Sequence, residues 1–241
     1  MSEAQTIVFV HGSGDSSRIW RQVISSLPGF NCVALDLPGH GARIESPGPW
    51  SMSVADYALD VSTELGRRDL SGICLAGHSL GGAIALHMAV HFPSLVGSMA
   101  LIGTGARLRV APQLLELASG DPEKATGLLA EMGVASGDSS EAAEDYQREE
   151  RAPLAGPGVL YRDLAACDAF DMMADLDRIH QPAIIITGEQ DRMTPPKYAV
   201  FLKDHLANST LAMIPNAGHF APYEQPEAVA AALATWLPRT R

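Results

Sequence analysis

Ile73-Cys-Leu-Ala-Gly-His-Ser-Leu-Gly-Gly-Ala-Ile-Ala-Leu86 is a short apolar run of strand character that passes through Gly-x-Ser-x-Gly directly into an apolar run of helical character. A serine at so sharp a strand-to-helix turn is held in a strained backbone conformation that lifts its hydroxyl above the sheet. The turn tolerates this only where bulk is missing. Gly77 and Gly81 supply that room, and Gly82 with Ala83 lets the helix start close to neighbouring strands. The rest of the chain is placed relative to Ser79.

Upstream, Ile7 to Val10 reads as a buried strand that ends in His11-Gly-Ser-Gly-Asp15. Ile19 to Leu27 has helical spacing and is stopped by Pro28-Gly29. Asn31 to Leu35 is the next strand, closing on Asp36-Leu-Pro-Gly-His-Gly41, and Ser53 is placed to cap a helix over Val54 to Leu65. Downstream, Met99 to Ile102, Pro182 to Thr187 and Thr210 to Ile214 are further strands. Strands alternating with helices predict an α/β fold with a mainly parallel central sheet, its ligand site at the carboxyl ends of the strands.

Residues 104–180 break the rhythm. Helical segments follow one another there, at Gln113 to Ala118, Pro122 to Met132 behind Asp121, Glu141 to Arg151 and Val159 to Phe170. An all-helical insertion cannot extend the sheet, so it is expected to sit over the strand ends as a lid. The predicted organisation is a core in two parts, 1–103 and 181–241, with a helical cap insertion at 104–180.

At 241 residues and 46% hydrophobic content, the chain can bury one large core with a modest elaboration. The net charge of −11 comes from dispersed acidic residues, which disfavours nucleic acid as a partner. Neither a secretory leader nor a membrane span is legible. Cys32, Cys74 and Cys167 are odd in number and lack metal-ligand spacing. A reduced, cytoplasmic setting is expected, as monomer or homodimer.

A serine nucleophile needs a base, a group that orients the base, and donors for the oxyanion. His219, in Pro215-Asn-Ala-Gly-His219, and Asp191, in Gly188-Glu-Gln-Asp191, each follow a predicted strand, although Glu189 of the same loop is a second candidate acid. Serine, then aspartate, then histidine is one of the chain orders in which this triad occurs. Of the eight histidines, His87, His91, His180 and His205 fall on ordinary structural positions; His11 and His40 sit in glycine-rich loops where an imidazole shapes the backbone.

With these pieces in order, the chain resembles the α/β-hydrolase fold family over nearly its whole length, as a capped serine esterase-like member. The resemblance rests on His11-Gly12, Asp36-x-Pro-Gly-His-Gly41, Gly77-His-Ser-Leu-Gly-Gly82, Gly188-x-x-Asp191 and Gly218-His219. It implies Ser79, Asp191 and His219 as catalytic residues, the backbone N–H groups of Ser13 and Leu80 as the oxyanion hole, and no cofactor. Leu80 suits that role physically, since the first amide of a helix is unpaired and its dipole favours negative charge.

The substrate pocket is assigned to His78, Leu128, Met132, Phe170, Met173 and Phe220, with Leu129 and Met172 as further candidates, although apolar residues at helical spacing are as readily simple packing. The ring of His78 is expected to point away from the side of Ser79. Arg107 and Arg109 are either solvated or contacts for an acidic substrate. No metal site is expected, because His11, Asp36, His40 and His219 lack ligand spacing. The expected activity is cleavage of small to medium carboxylic esters through an acyl-enzyme. Carbon–carbon bond hydrolysis, lactone hydrolysis and perhydrolysis on the same scaffold stay open, as does a slow-turnover ligand receptor. His11-Gly-Ser-Gly14 is similar to the carbon–carbon cleaving group, but Asp15-Ser-Ser follows where those enzymes carry Pro-Gly.

Overall fold

The computed structural model describes residues 5–46, 48–49, 51–135, 145–146 and 156–237. Six strands, β1 (Thr6–Val10), β2 (Asn31–Leu35), β3 (Ile73–His78), β4 (Val96–Ile102), β5 (Ala183–Gly188) and β6 (Ser209–Ile214), form one sheet in the order β2-β1-β3-β4-β5-β6. Every pairing is parallel. Parallel neighbours need crossovers, so each strand begins at the same edge and all six carboxyl ends share the other. That edge collects the loops after Val10, His78, Gly188 and Ile214.

Side chains alternate across the strands, and each face of the sheet has its own core. Val8, Val10, Leu75, Met99, Leu101 and Ile185 pack on one face beneath α2 (Val54–Arg67) and α3 (Leu80–His91). Ile7, Phe9, Cys74, Ala76, Ile102 and Ile186 pack on the other, with Val23 of α1 (Arg21–Ser25). Helix α2 starts where Ser53 predicted it, in a reciprocal capping box: Asp56 N–H donates to Ser53 Oγ at 3.3 Å and Ser53 N–H to Asp56 Oδ2 at 2.7 Å. Strand β4 begins three residues earlier than its apolar run. Gly97 and Ser98 interrupt the hydrophobic pattern, yet pairing continues through Val96 and Ser98.

Between β4 and β5 the described residues contain helices α4 (Pro112–Gly120), α5 (Pro122–Gly133) and α6 (Pro157–Ala169). As expected, Asp121 caps α5 by accepting from Lys124 N–H at 3.0 Å. The helix expected over Glu141 to Arg151 lies, apart from residues 145–146, outside the described residues. Leu114, Ala118, Ala125, Leu129, Leu160 and Leu164 give α4, α5 and α6 a small core of their own. Beyond these lie α7 (Pro196–His205), α8 (Ala221–Glu224) and α9 (Pro226–Trp236), the last packing Val229, Ala230 and Leu233 into the second sheet face. Among the described residues no helix is long and apolar enough to cross a membrane.

Candidate active site

Ser79 caps the amino end of α3 with φ 52° and ψ −113°, a conformation that costs a non-glycine residue free energy and persists only where the surroundings impose it. Its N–H donates to Ile102 O at 2.9 Å and its carbonyl accepts from Thr104 Oγ1 at 2.9 Å. The glycines around it are required by close approach. A Cβ on Gly77 would lie 2.1 Å from Gly81 O, one on Gly81 2.3 Å from Val10 O, and one on Gly82 2.5 Å from Thr104 Cγ2. Gly12 lets the β1 loop come as near: its Cβ would sit 3.2 Å from that of Ser79.

The loops after β5 and β6 meet across Gly188, whose Cβ would fall 2.2 Å from Gly218 O. There His219 Nδ1 donates to Asp191 Oδ2 at 2.9 Å, and Thr194 Oγ1 donates to the same oxygen at 2.8 Å. Asp191 Oδ1 accepts the N–H groups of Met193 and Thr194, both at 2.8 Å. Burial pushes the Asp191 carboxyl up, but the facing His219 and these hydrogen bonds outweigh it and hold the group below its ordinary value. Glu189, the other acid of the loop, is exposed. Behind His219, Glu224 accepts from Gly218 N–H at 2.9 Å and Ala135 N–H at 2.7 Å, and His219 N–H donates to Gly133 O at 2.6 Å. The end of α5 is thereby tied to the histidine loop.

His11 and His40 shape loops, as expected. His11 Nε2 accepts from Leu37 N–H at 3.0 Å and Nδ1 donates to Gly12 O at 2.8 Å, to which Asp15 N–H also donates at 3.3 Å. In a trans peptide the carbonyl and the next N–H point in opposite directions. Fixing Gly12 O inward therefore turns Ser13 N–H outward, and neither Ser13 N–H nor Leu80 N–H has a hydrogen-bond acceptor among the described residues. Asp36 braces the neighbouring loop by accepting from Ser17 N–H (2.7 Å) and Ala42 N–H (2.8 Å); Gly41 at φ 48° passes so near that a Cβ there would lie 2.5 Å from the carboxylate.

Ser79 and His219 open on one cavity of about 210 Å³. Of the residues assigned to the site from sequence, Ser13, His78, Met132 and Phe220 also line it; Leu80, Leu128, Phe170, Met173 and Asp191 do not. On α5 it is Leu129 that faces the cavity, while Leu128 is 38% exposed. Phe170 is buried with Met172 in the sheet core, and Met173 lies in a separate surface hollow with Arg107 and Lys197. Further apolar walls come from Leu108, Leu114, Leu164 and Cys167. His78 does not turn away. Its ring stands 4.8 Å from that of His219, and its Nε2 donates to His219 O at 2.9 Å. Arg109 reaches the cavity rim, and it and Arg107 share Asp171 at 3.9 and 3.5 Å. No group of three metal-ligating side chains is assembled among the described residues.

Burial and the neighbouring His40 push His11 down to about 4; burial and His219 push His78 down to about 3. Both are neutral in the fold, whereas unfolded histidine takes a proton near 6.5. The unfolded chain thus binds more protons as pH falls from 6.5 towards 4, so stability drops over that window, by about 1.4 kcal/mol per pH unit for each histidine. His40 acts oppositely. Despite burial, Asp163 raises it, so its contribution is present below 6.5 and is lost as pH rises through the folded value. Thermal melts should show greatest stability near neutrality and a marked fall towards pH 4. His11→Gln should make that acid limb shallower by about one proton, and an unchanged limb would refute the assignment.

The family model described as the alpha/beta hydrolase family matches residues 7–232. Among curated relatives, a pimeloyl-(acyl-carrier protein) methyl ester esterase of Nitrosomonas europaea is 27% identical over 233 residues, spanning 90% of this chain and 89% of the relative. Among solved structures, a thermophilic esterase matches with 32% identity and TM-score 0.79 over 98% of this chain and 90% of that one. A lipase-esterase related protein from Clostridium acetobutylicum matches with 27% identity and TM-score 0.80 over 98% and 96% of the two chains.

Proposed function

The chain belongs to the alpha/beta hydrolase family, and from that premise we propose that it is a serine hydrolase cleaving small to medium carboxylic esters through an acyl-enzyme. The observation that carries the reading is the strained Ser79 at φ 52°, opening on the same cavity as a histidine whose Nδ1 is held at 2.9 Å by a buried aspartate.

With Nδ1–H committed to Asp191, the Nε2 lone pair of His219 is free to take the Ser79 proton as the hydroxyl attacks the ester carbonyl. Asp191 fixes the tautomer and stabilises the imidazolium that forms. The oxyanion is received by the N–H groups of Leu80 and Ser13, the first reinforced by its place at the start of α3. The imidazolium then protonates the departing alkoxide. Water, deprotonated by the same histidine, releases the acid from Ser79. Helices α4 to α6 act as a cap whose apolar wall accepts the acyl chain. The esterase names of the similar proteins support the ester over other acyl substrates.

A series of p-nitrophenyl esters tests the reading. Turnover is expected for short and medium acyl groups, falling once the chain outgrows the cavity, together with stoichiometric labelling of Ser79 by a fluorophosphonate. Absence of both ester turnover and labelling would overturn it.

A further inference from the structure

We propose that Asp163, carried on α6 in the segment between β4 and β5, is a positioning residue for the oxyanion-binding loop, so that docking of this helix assembles the hole as well as covering it. The inference rests on the serine-hydrolase reading. Asp163 is wholly buried and belongs to a network drawn from distant parts of the chain. Its Oδ2 accepts from Gly14 N–H at 3.0 Å and from His40 Nε2 at 2.8 Å; its Oδ1 accepts the Tyr57 hydroxyl. His40 uses both ring nitrogens as donors, the other to Pro38 O at 3.1 Å, and is therefore the imidazolium partner of the carboxylate. Arg162 seals the far side, donating to Tyr57 Oη at 2.8 Å, Pro38 O at 2.5 Å and Pro49 O at 3.1 Å.

A buried ionic cluster is an expensive way to attach a helix, since apolar residues of similar volume would pack there without desolvating charge. What the carboxylate adds is a directed acceptor for Gly14 N–H. The two peptides flanking the Ser13 Cα are held separately: the core fixes Gly12 O through His11, and α6 fixes Gly14 N–H through Asp163. Between them they set the direction of Ser13 N–H, one of the two proposed oxyanion donors. One stripe of α6 adds to this grip. Leu160 Cδ1 lies 2.9 Å from where a Gly14 Cβ would be, and Cys167 Sγ lies 3.4 Å from Ser13 Oγ. Gly14 itself sits at φ 68°, where the loop turns back beneath the helix.

The test compares the parent with Asp163→Leu and Tyr57→Phe, reading kcat and KM on a short p-nitrophenyl ester, Ki for a trifluoromethyl ketone whose serine adduct places an oxyanion in the hole, and Tm. Leucine is chosen because an asparagine could keep its amide oxygen on Gly14 N–H. Asp163→Leu is expected to lower kcat about ten- to hundredfold and to weaken the ketone in parallel, with KM within about twofold. Tyr57→Phe, which loosens the network away from Gly14, is expected to lower Tm while kcat and Ki stay within about twofold. Should Asp163→Leu unfold, the double variant Asp163→Leu/His40→Gln leaves no imidazolium unpaired and is expected to show the same losses. A folded variant lacking an acceptor at position 163 with kcat and Ki near the parent's overturns the proposal, as does loss of kcat that merely follows Tm in both Asp163→Leu and Tyr57→Phe. Fluorophosphonate labelling separates the two levels: an unlabelled parent overturns the serine reading and this proposal with it, whereas a labelled parent beside an unimpaired Asp163→Leu overturns this proposal alone.

Discussion

Ser79→Ala is expected to lower kcat/KM for an activated aryl ester by at least about a thousandfold, the order seen when the nucleophile of such a triad is removed. The fold should survive the change. Ser79 is held by its backbone, through Ile102 O and Thr104 Oγ1, and its hydroxyl has no hydrogen-bond partner among the described residues. Alanine therefore inherits the strained turn while losing only the proposed nucleophile, and Tm should move by no more than about 1 kcal/mol implies. The loss should lie in kcat, with ester binding in the apolar cavity nearly intact, because the Leu80 and Ser13 amides and the cavity walls remain. Progress curves at matched enzyme concentration, with the fluorophosphonate label as a second readout, decide the matter. A variant that turns over at the parent rate would remove Ser79 from the chemistry.

The sheet could be read from sequence because its strands are parallel and covered on both faces, so Ile7–Val10, Ile73–Ala76 and Ile184–Ile186 are continuous apolar runs. The loops that meet at the candidate site were legible for a related reason: each follows the carboxyl end of a strand and is marked by glycines that close approach demands, as at Gly77, Gly81 and Gly188. The cavity wall was much less so. Helix α5 is apolar at both Leu128 and Leu129, and nothing local says that Leu129 turns inward; Phe170 was drawn into the sheet core by contacts that periodicity does not carry. The orientation of His78 depends on where His219 O lies, 141 residues away in sequence. Asp163, Arg162, His40 and Tyr57 form the extreme case. Each is an ordinary polar residue alone, and their meaning arises only when α6 is laid across the β1 and β2 loops. Thr194 did leave a local trace, since Asp-x-x-Thr before two prolines is a turn in which the aspartate accepts the third residue's N–H.

Asp191→Asn is expected to reduce kcat by about three to four orders of magnitude while the protein stays folded, an effect of proton placement more than of lost charge. Asp191 Oδ1 is committed to the N–H groups of Met193 and Thr194, so an asparagine that keeps those bonds must put its oxygen there and its NH₂ where Oδ2 stood. That NH₂ then faces His219 Nδ1. Two donors cannot share the contact, so the imidazole moves its proton to Nε2, the nitrogen proposed to accept from Ser79. Thr194 Oγ1, 3.2 Å from the same Nδ1, adds to the effect once its acceptor at Oδ2 is gone and it is free to donate to the ring. Raising the pH should not restore activity, because the fault is a tautomer and not a protonation level. The depressed carboxyl also predicts the sign of the stability change: the ionised group contributes stability above its unfolded value near 3.8 that is lost as pH falls through the folded one, so the variant's acid limb below that pH should be flatter. Glu189→Gln is the control, with activity within about twofold of the parent, since that carboxylate is exposed to solvent. If Glu189→Gln proved the inactive variant and Asp191→Asn the silent one, the acid of the triad would have been placed on the wrong residue of the loop.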